Sequence, residues 1–551
     1  MIQQSRTSIV AAMYSKAAAK ETDPLLPSYE PAPEIGGSKH YHSVEIHDSQ
    51  DQYNSAEQTS SYNENQQYLQ DFHNHGYQHS DDNDEDHKSS DSVAGPMARI
   101  FRTLFVFLFA VVLLTICVSA LRSRDNSSEP PEGGSPDSPS KPEPHTIEGR
   151  VEAILASTPL IDGHNDLAIF LRYQYSNNIT SPKFRSEFEN GGMPQHVDLP
   201  RLRNGKAGGA FWSAFTVCPN NASYDMTDSN YATSVSHTLE QIDLLRRLQA
   251  QYPHRFSAST ASRPEMLAQW QSTRSLFGPI SIEGLHQVPP TAPMSTLRTY
   301  RAMGVRMATL TWNCHNAFAD ASLLSLSLTA PPIVVNGPFR PSEGAVTPRG
   351  RAVIREMNRL GIMVDISHTS YWTQLAVLTK STSLAPVVFS HSSAYALCPH
   401  PRNVKDDILD LVKKTNSLVM VNFSPDFISC TAPDSDTNDK SPTFSLPTFY
   451  PPNSTLHQVA RHITYIGSRI GYAHVGLGSD FDGMASTPAG LDGVDKYPAL
   501  VAELLRMGVS DEDVKLVVGG NVLRVWGDVD DVAEQMRREG VEAGVDDAAG
   551  W

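Results

Sequence analysis

A chain of 551 residues is too long for one compact domain without extensions. Its formal net charge of −17 excludes general nucleic-acid binding, which needs a basic footprint. Much of that charge is local, because Asp81, Asp82, Asp84, Glu85, Asp86 and Asp91 crowd one stretch with the composition of a solvated tail.

Residues 1–95 are rich in Ser, Gln, Asn, Asp, His and Tyr and poor in branched aliphatics. Such a segment cannot bury enough apolar surface to offset its ordering entropy, so a disordered cytoplasmic tail is expected. Its seven histidines, His73, His75 and His79 among them, fit solvated low complexity better than a metal-binding tail. Glu21–Leu26 reads ETDPLL and runs into Pro27, Ser28 and Tyr29, a pattern resembling an acidic dileucine sorting signal beside a WW-domain ligand.

Thr103–Leu121 is an uncharged run of 19 residues, flanked by Arg99 and Arg102 on one side and Arg122 and Arg124 on the other. About 20 apolar residues at about 1.5 Å each span a bilayer core, which predicts a transmembrane signal-anchor helix over 99–122. The run begins too far along the chain for a cleavable signal peptide. Two arginines on each side leave the positive-inside rule silent. Orientation rests instead on residues C-terminal to the anchor. The sequons at Asn126, Asn178, Asn221, Asn422 and Asn453 all lie there, and so do Cys218, Cys314, Cys398 and Cys430. Both sets place the C-terminal part in a lumen or outside the cell, with vacuole, endosome and cell surface all admitted. The fifth cysteine, Cys117, lies inside the apolar run, and no CxxC pair suggests a zinc knuckle. Four cysteines in an oxidising compartment suggest two disulfides; four buried thiols are the alternative, and spacing does not set a pairing. Residues 123–148, rich in Pro, Ser, Gly and Glu, read as an extended stalk.

From 149 to 527 short apolar runs alternate with helical stretches. The strand candidates are Leu160–His164, Ala210–Val217, Pro279–Glu283, Arg306–Trp312, Ile362–Ser367, Val387–His391, Leu418–Phe423 and Val475–Asp480. Amphipathic segments such as Pro348–Leu360 and Asp406–Lys414 lie between them. Near-continuous apolar strands alternating with helices indicate a parallel sheet covered on both faces. The fold class is α/β, and a closed (β/α)8 TIM-type barrel is the simplest arrangement, with an open doubly wound sheet as the alternative. Residues 528–551, acidic and rich in Gly and Ala, are expected to be a frayed helix or tail.

Polar residues fall where these strands end. His164 and Asp166 close the first, Glu283 the third, His368 the fifth, His391 the sixth and Asp480 the eighth. In a barrel the C-terminal strand ends surround one mouth, so the six converge. Singly, each has a bland explanation as a hydrogen-bonded structural residue. Jointly, three imidazoles and three carboxylates in one apolar-walled mouth need a cation. Imidazole and carboxylate without cysteine suit Zn²⁺ or Mn²⁺, and imidazole favours zinc. His164 and Asp166, two apart on an extended backbone, face one side and can hold one ion. His368 and His391 can hold a second, and Glu283 has an oxygen for each. Two such ions can share a hydroxide and polarise a carbonyl, leaving Asp480 as the base that orients the hydroxide and protonates a leaving amine.

These residues resemble the renal, or membrane, dipeptidase family of zinc peptidases (peptidase family M19) in the amidohydrolase superfamily. The resemblance runs from about 157 to 526 through DGHNDL, GGAFWSAFTVC, IEGLH, TPRGRAVIREMNRLGIMVDISH, FSHSSAYALCPHPRNVKDD and GSDFDG. It implies a (β/α)8 barrel with two Zn²⁺ per chain, His164 and Asp166 on the first, His368 and His391 on the second, Glu283 bridging and Asp480 as the catalytic carboxylate. It further implies that Arg402 grips the substrate's C-terminal carboxylate, a task that suits a guanidinium fork. Disulfides Cys218–Cys314 and Cys398–Cys430 are implied by the same resemblance. One position departs from the pattern. The family usually carries a histidine after the fourth strand, in a run like TLTHN. There the family's histidine contacts the substrate and the reacting centre; here the run is TLTWNCHN, so Trp312 takes that substrate-binding place, and His315 is the candidate substitute if the loop bends inward. The mammalian relatives are lipid-anchored through the C-terminus, whereas this sequence ends without a hydrophobic tail and is expected to use its N-terminal helix.

The expected function is zinc-dependent hydrolysis of dipeptides at a binuclear site. The expected partners are a dipeptide and a membrane reached through the N-terminal helix, with a homodimer left open and nucleic acid excluded. The alternatives are a hydrolase of another small amide, such as a glutathione-derived conjugate, and a non-catalytic metal-binding barrel suggested by Trp312.

Overall fold

The computed structural model describes residues 143, 145–325, 332–379, 382–431 and 446–546. The expected tail, the anchor helix over 99–122 and the stalk up to residue 142 lie outside the described residues. Among the described residues no helix is long and apolar enough to cross a membrane.

Eight parallel strands close on themselves: β1 Leu160–Asn165, β2 Ala207–Ser213, β3 Ile280–Glu283, β4 Val305–Thr309, β5 Met363–Asp365, β6 Val388–Phe389, β7 Leu418–Val421 and β8 Val475–Leu477. They pair in sequence order, and Asp162 of β1 stands beside Leu477 of β8 to complete the ring. The expected (β/α)8 barrel is therefore what forms, and the open sheet is excluded. Each strand except for the first residue of β2 is buried throughout, which is why the runs read as continuously apolar rather than alternating.

Local signals start and stop the helices between them. Thr347 caps Pro348–Leu360 by accepting from the Gly350 N–H, Pro348 sits in the first turn, and Gly361 ends the helix at φ +67°. Asp406–Lys414 carries two acids in its first turn and two lysines in its last, as the helix dipole favours.

Six of the eight strands end earlier than their apolar runs suggest. β2 stops at Ser213, β4 at Thr309, β5 at Asp365, β6 at Phe389, β7 at Val421 and β8 at Leu477. The residues just beyond turn out of the ladder. His368 at φ +61° and Asp480 at φ +68° adopt the left-handed conformation, which a strand cannot hold. Thus most of the polar residues expected to end strands instead begin the loops of the mouth.

The C-terminus also departs from expectation. The boundary placed at 528 falls inside helix Asn521–Arg538, whose Val525, Val529, Ala533 and Met536 are buried. Beyond it, Gly544 bonds to Glu356 and Arg298. Asp546 accepts from the first N–H groups of helix Pro293–Met303, at 2.7 and 2.8 Å. An acidic composition hid an apolar stripe at helical spacing, so this segment up to 546 is docked rather than frayed.

Two disulfides brace the mouth. Cys218–Cys314 joins the loop after β2 to the loop after β4, and Cys398–Cys430 joins the loops after β6 and β7.

Candidate metal centre

Glu283 is the centre of the polar cluster at the mouth. Its Oε1 lies 2.9 Å from His368 Nε2 and 3.5 Å from His391 Nε2. Its Oε2 faces the other way, 3.4 Å from His164 Nε2. That nitrogen also lies 3.1 Å from Asp166 Oδ2. Donor atoms of His164, Glu283 and His391 lie within 4.8 Å of one another, and so do those of His164, Asp166 and Asp480. All five expected ligands and Asp480 are thus brought together, with one carboxylate oxygen of Glu283 turned toward each side.

The hydrogen bonds behind the imidazoles decide what their front faces can do. His391 Nδ1 donates to Ser390 Oγ at 2.7 Å, and Ser390 donates to Asp365 Oδ2 at 2.6 Å. His368 Nδ1 donates to Asn313 Oδ1 at 2.9 Å. Both rings therefore present Nε2 as a bare lone pair toward the cluster. These two nitrogens are only 3.0 Å apart, and both face the Glu283 carboxylate. Three acceptors converging without a donor repel one another, and a cation between them removes the conflict. On the other side Asp166 Oδ1 is buried with no hydrogen-bond partner. Imidazole and carboxylate oxygen at these spacings fit a divalent metal such as zinc.

Burial sets the electrostatics. Desolvation lifts Glu283 to about 7, against the pull of His164, and raises Asp480 from its ordinary value. It drives His368 and His391 well below theirs, helped by the positive charges of Arg402 and His164. Desolvation opposes charging of His164 as well, yet the facing Asp166 and Glu283 carboxylates hold that imidazole well above its ordinary value.

The loops are shaped so that these groups can meet. Asp162, a buried residue of β1, accepts from the Ser479 N–H at 2.7 Å and from Tyr497 Oη at 2.8 Å, which ties β1 to the turn after β8. The Asp480 N–H donates to the His164 carbonyl at 3.1 Å. A Cβ at Gly483 would stand 2.2 Å from Asp166 Oδ2, so only glycine lets the loop after β8 close over the site.

Arg402 lies at the same mouth, buried, with an Nη2 contact of 3.4 Å to the His391 carbonyl and its Nε without a partner. Its guanidinium rests over Phe427 at 5.0 Å. Burial lowers it to about 10, so it stays charged at neutral pH. Trp312 packs edge-on against Phe215 and stands 6.2 Å from the His368 ring. His315 is placed differently. Its Nδ1 accepts from the Ala321 N–H at 3.1 Å and its ring stacks on Phe339 at 4.3 Å. Burial takes it down to about 3, and it is tied to its own loop rather than to the cluster.

Four supporting residues escape a reading of strand ends alone: Asp365, Ser390, Asn313 and Asn422. Asn422 donates from Nδ2 to Asp480 Oδ2 at 3.0 Å. Asp365 and Ser390 do precede His368 and His391 closely in sequence, and that adjacency is the signal that could have found them. A cavity of about 670 Å³ beside residues 191–201 and 485–487 holds no comparable chemistry, because its Arg201 is already spent on Asp198 and on the Gln195 and Met193 carbonyls.

Residues 148–540 match the family model of membrane dipeptidase, peptidase family M19. The chain is 41% identical over 386 residues to dipeptidase aclJ of Aspergillus oryzae, covering 70% of this chain and 82% of that one. It is 38% identical over 392 residues to dipeptidase verJ of Clonostachys rogersoniana, covering 71% and 89%. In fold it is similar to the probable dipeptidase PvdM from Pseudomonas aeruginosa, with a TM-score of 0.57 at 22% identity over 71% of this chain and 100% of that one. The extent of the family match and the coverage of the curated relatives leave one assignment: the chain belongs to the membrane dipeptidase family, peptidase family M19, and is a metallo-hydrolase of that class.

Proposed function

We propose that the barrel is a zinc dipeptidase with two metal ions, carried on a membrane by the 99–122 run with its mouth in a lumen or outside the cell. The observation that carries the two-metal reading is Glu283, whose two oxygens face two different sets of donors. His164 and Asp166 would hold one ion, His368 and His391 the other, with Glu283 between them. Zinc held there supplies Lewis acidity toward a peptide carbonyl and makes water acidic enough to attack at neutral pH.

The chain's own groups do the rest. Asp480 is partly buried, held by Asn422 through one oxygen, and raised in pKa, so it suits a base that takes a proton from the attacking water. It then returns that proton to the leaving amine. Arg402 meets the substrate's free carboxylate and finds there the partner its Nε lacks. The buried mouth keeps bulk water from the developing charge. His315, bound to its own loop, is not in position to replace a histidine at Trp312. That absence favours a second reading, a barrel that binds metal without turnover.

One experiment separates the two. The purified full chain loaded with zinc should bind two ions and hydrolyse Gly-Leu. Asp480→Asn should lose about 100-fold or more in kcat while keeping its metal. Zinc without turnover favours the non-catalytic barrel, and turnover untouched by Asp480→Asn removes the role given to that carboxylate.

A further inference from the structure

Three apolar side chains stand at the mouth apart from the two larger cores: Ile169, Phe215 and Trp312, with Tyr173 and Val217 packed against them. Each lies beyond a strand end, Ile169 after β1, Phe215 after β2 and Trp312 after β4. Trp312 and Phe215 meet at 4.9 Å between ring centroids, and Trp312 also neighbours the His368 imidazole. Their exposures of 4, 6 and 8% match those of Glu283 at 4% and Arg402 at 5%, so the wall lies as deep as the polar cluster.

The wall is held in place. Cys218–Cys314 bolts together the loops that carry Phe215 and Trp312, three residues beyond the one and two beyond the other. Gly284, at φ +109°, lets the loop after β3 pass against the Trp312 backbone, where a Cβ would come within 2.8 Å of its nitrogen.

Its place relative to Arg402 gives it a role. The strands keep sequence order around the closed ring, so β6 stands opposite β2. Arg402, on the loop after β6, therefore lies across the mouth from Phe215, with the metal residues between them. A dipeptide whose carboxylate meets Arg402 and whose peptide bond lies at the polar cluster extends its N-terminal residue toward the wall.

On the dipeptidase reading above, we infer that Ile169, Phe215 and Trp312 receive the N-terminal side chain, and that Trp312 makes the enzyme select dipeptides whose first residue is large and apolar. A charged side chain there gives up its water without gaining a partner, whereas an apolar one gains by leaving water.

The test compares kcat/KM of the zinc-loaded full chain for Phe-Gly, Leu-Gly, Gly-Gly, Asp-Gly and the reversed Gly-Phe. Phe-Gly and Leu-Gly should exceed Asp-Gly by about 10-fold or more, and Gly-Phe should gain no such advantage over Gly-Gly. Trp312→Ala should cut the Phe-Gly to Asp-Gly ratio by about 10-fold, whereas Trp312→Phe, which keeps an apolar ring, should preserve the order. Equal rates for Phe-Gly and Asp-Gly in the unaltered chain overturn the inference, as does an unchanged ratio in a zinc-retaining Trp312→Ala variant. Turnover without preference removes this inference alone. A zinc-loaded chain that cleaves none of the peptides removes the dipeptidase reading and this inference with it.

Discussion

Asn422 carries no charge, yet it governs how the most reactive carboxylate of the site is presented. Its Nδ2 donates to Asp480 Oδ2, and its own carbonyl oxygen accepts from the Ser424 N–H, so the amide cannot turn. With Oδ2 occupied, Asp480 has its other oxygen left for substrate and proton. Asn422→Leu should therefore lower kcat by about 10- to 100-fold, the usual cost of removing a support behind a reacting group, with KM little changed. Steady-state kinetics beside a zinc assay check this, and a variant that loses its zinc along with its activity would assign Asn422 to metal retention instead. The six central residues were legible in the sequence because polar groups at the ends of apolar runs stand out. Asn422 was not, because its Asn-Phe-Ser triplet inside an apolar run reads only as an inaccessible sequon, and nothing local reveals Asp480 as its partner. His315 marks the opposite limit. Its place three residues after Trp312 suggested a substitute imidazole, but the bond from Ala321 and the stacked Phe339 ring that turn it aside come from residues beyond its own motif.

At the scale of elements, the eight strands were readable because parallel strands buried on both faces leave uninterrupted apolar runs. Their ends were overestimated, since the same residues stay buried after the chain turns out of the ladder, as Ile366 and Phe423 do. The loops beyond those ends depend on cross-links for their shape. Cys398–Cys430 spans 32 residues and ties the loop that carries Arg402 to the loop after β7. Closing a loop of that length removes unfolded-state entropy worth about 3–4 kcal/mol. The double variant Cys398→Ser, Cys430→Ser should melt at a lower temperature and show a raised KM, because Arg402 loses its fixed position, while zinc content stays the same. Thermal denaturation and dipeptide kinetics on one preparation check both parts, and an unchanged KM would separate the bridge from substrate binding.

For the whole molecule, the proposed anchor and its orientation can be measured through the sequons on the folded surface. Asn178, Asn221 and Asn453 are exposed, whereas Asn422 is fully buried against Asp480. Asn422 already stands apart in the sequence because it falls within the apolar run Leu418–Phe423, and the fold shows its side chain buried. An oxidising compartment, which the proposed orientation gives the barrel, is one where bridges such as Cys218–Cys314 and Cys398–Cys430 persist. If the 99–122 run anchors the chain with the barrel outside the cytosol, Asn178, Asn221 and Asn453 are open to glycosylation, and Asn422 is closed once the barrel has formed. Endoglycosidase treatment of the full chain from a eukaryotic host should lower its apparent mass. Asn178→Gln, Asn221→Gln and Asn453→Gln should each reduce that shift, and Asn422→Gln should leave it unchanged. The glycans should also sit in a membrane fraction and resist protease added to sealed vesicles. A mass unaffected by the endoglycosidase, with the barrel digested from the cytosolic side, would reverse the proposed orientation and leave the two disulfides as a feature of the barrel rather than of its compartment.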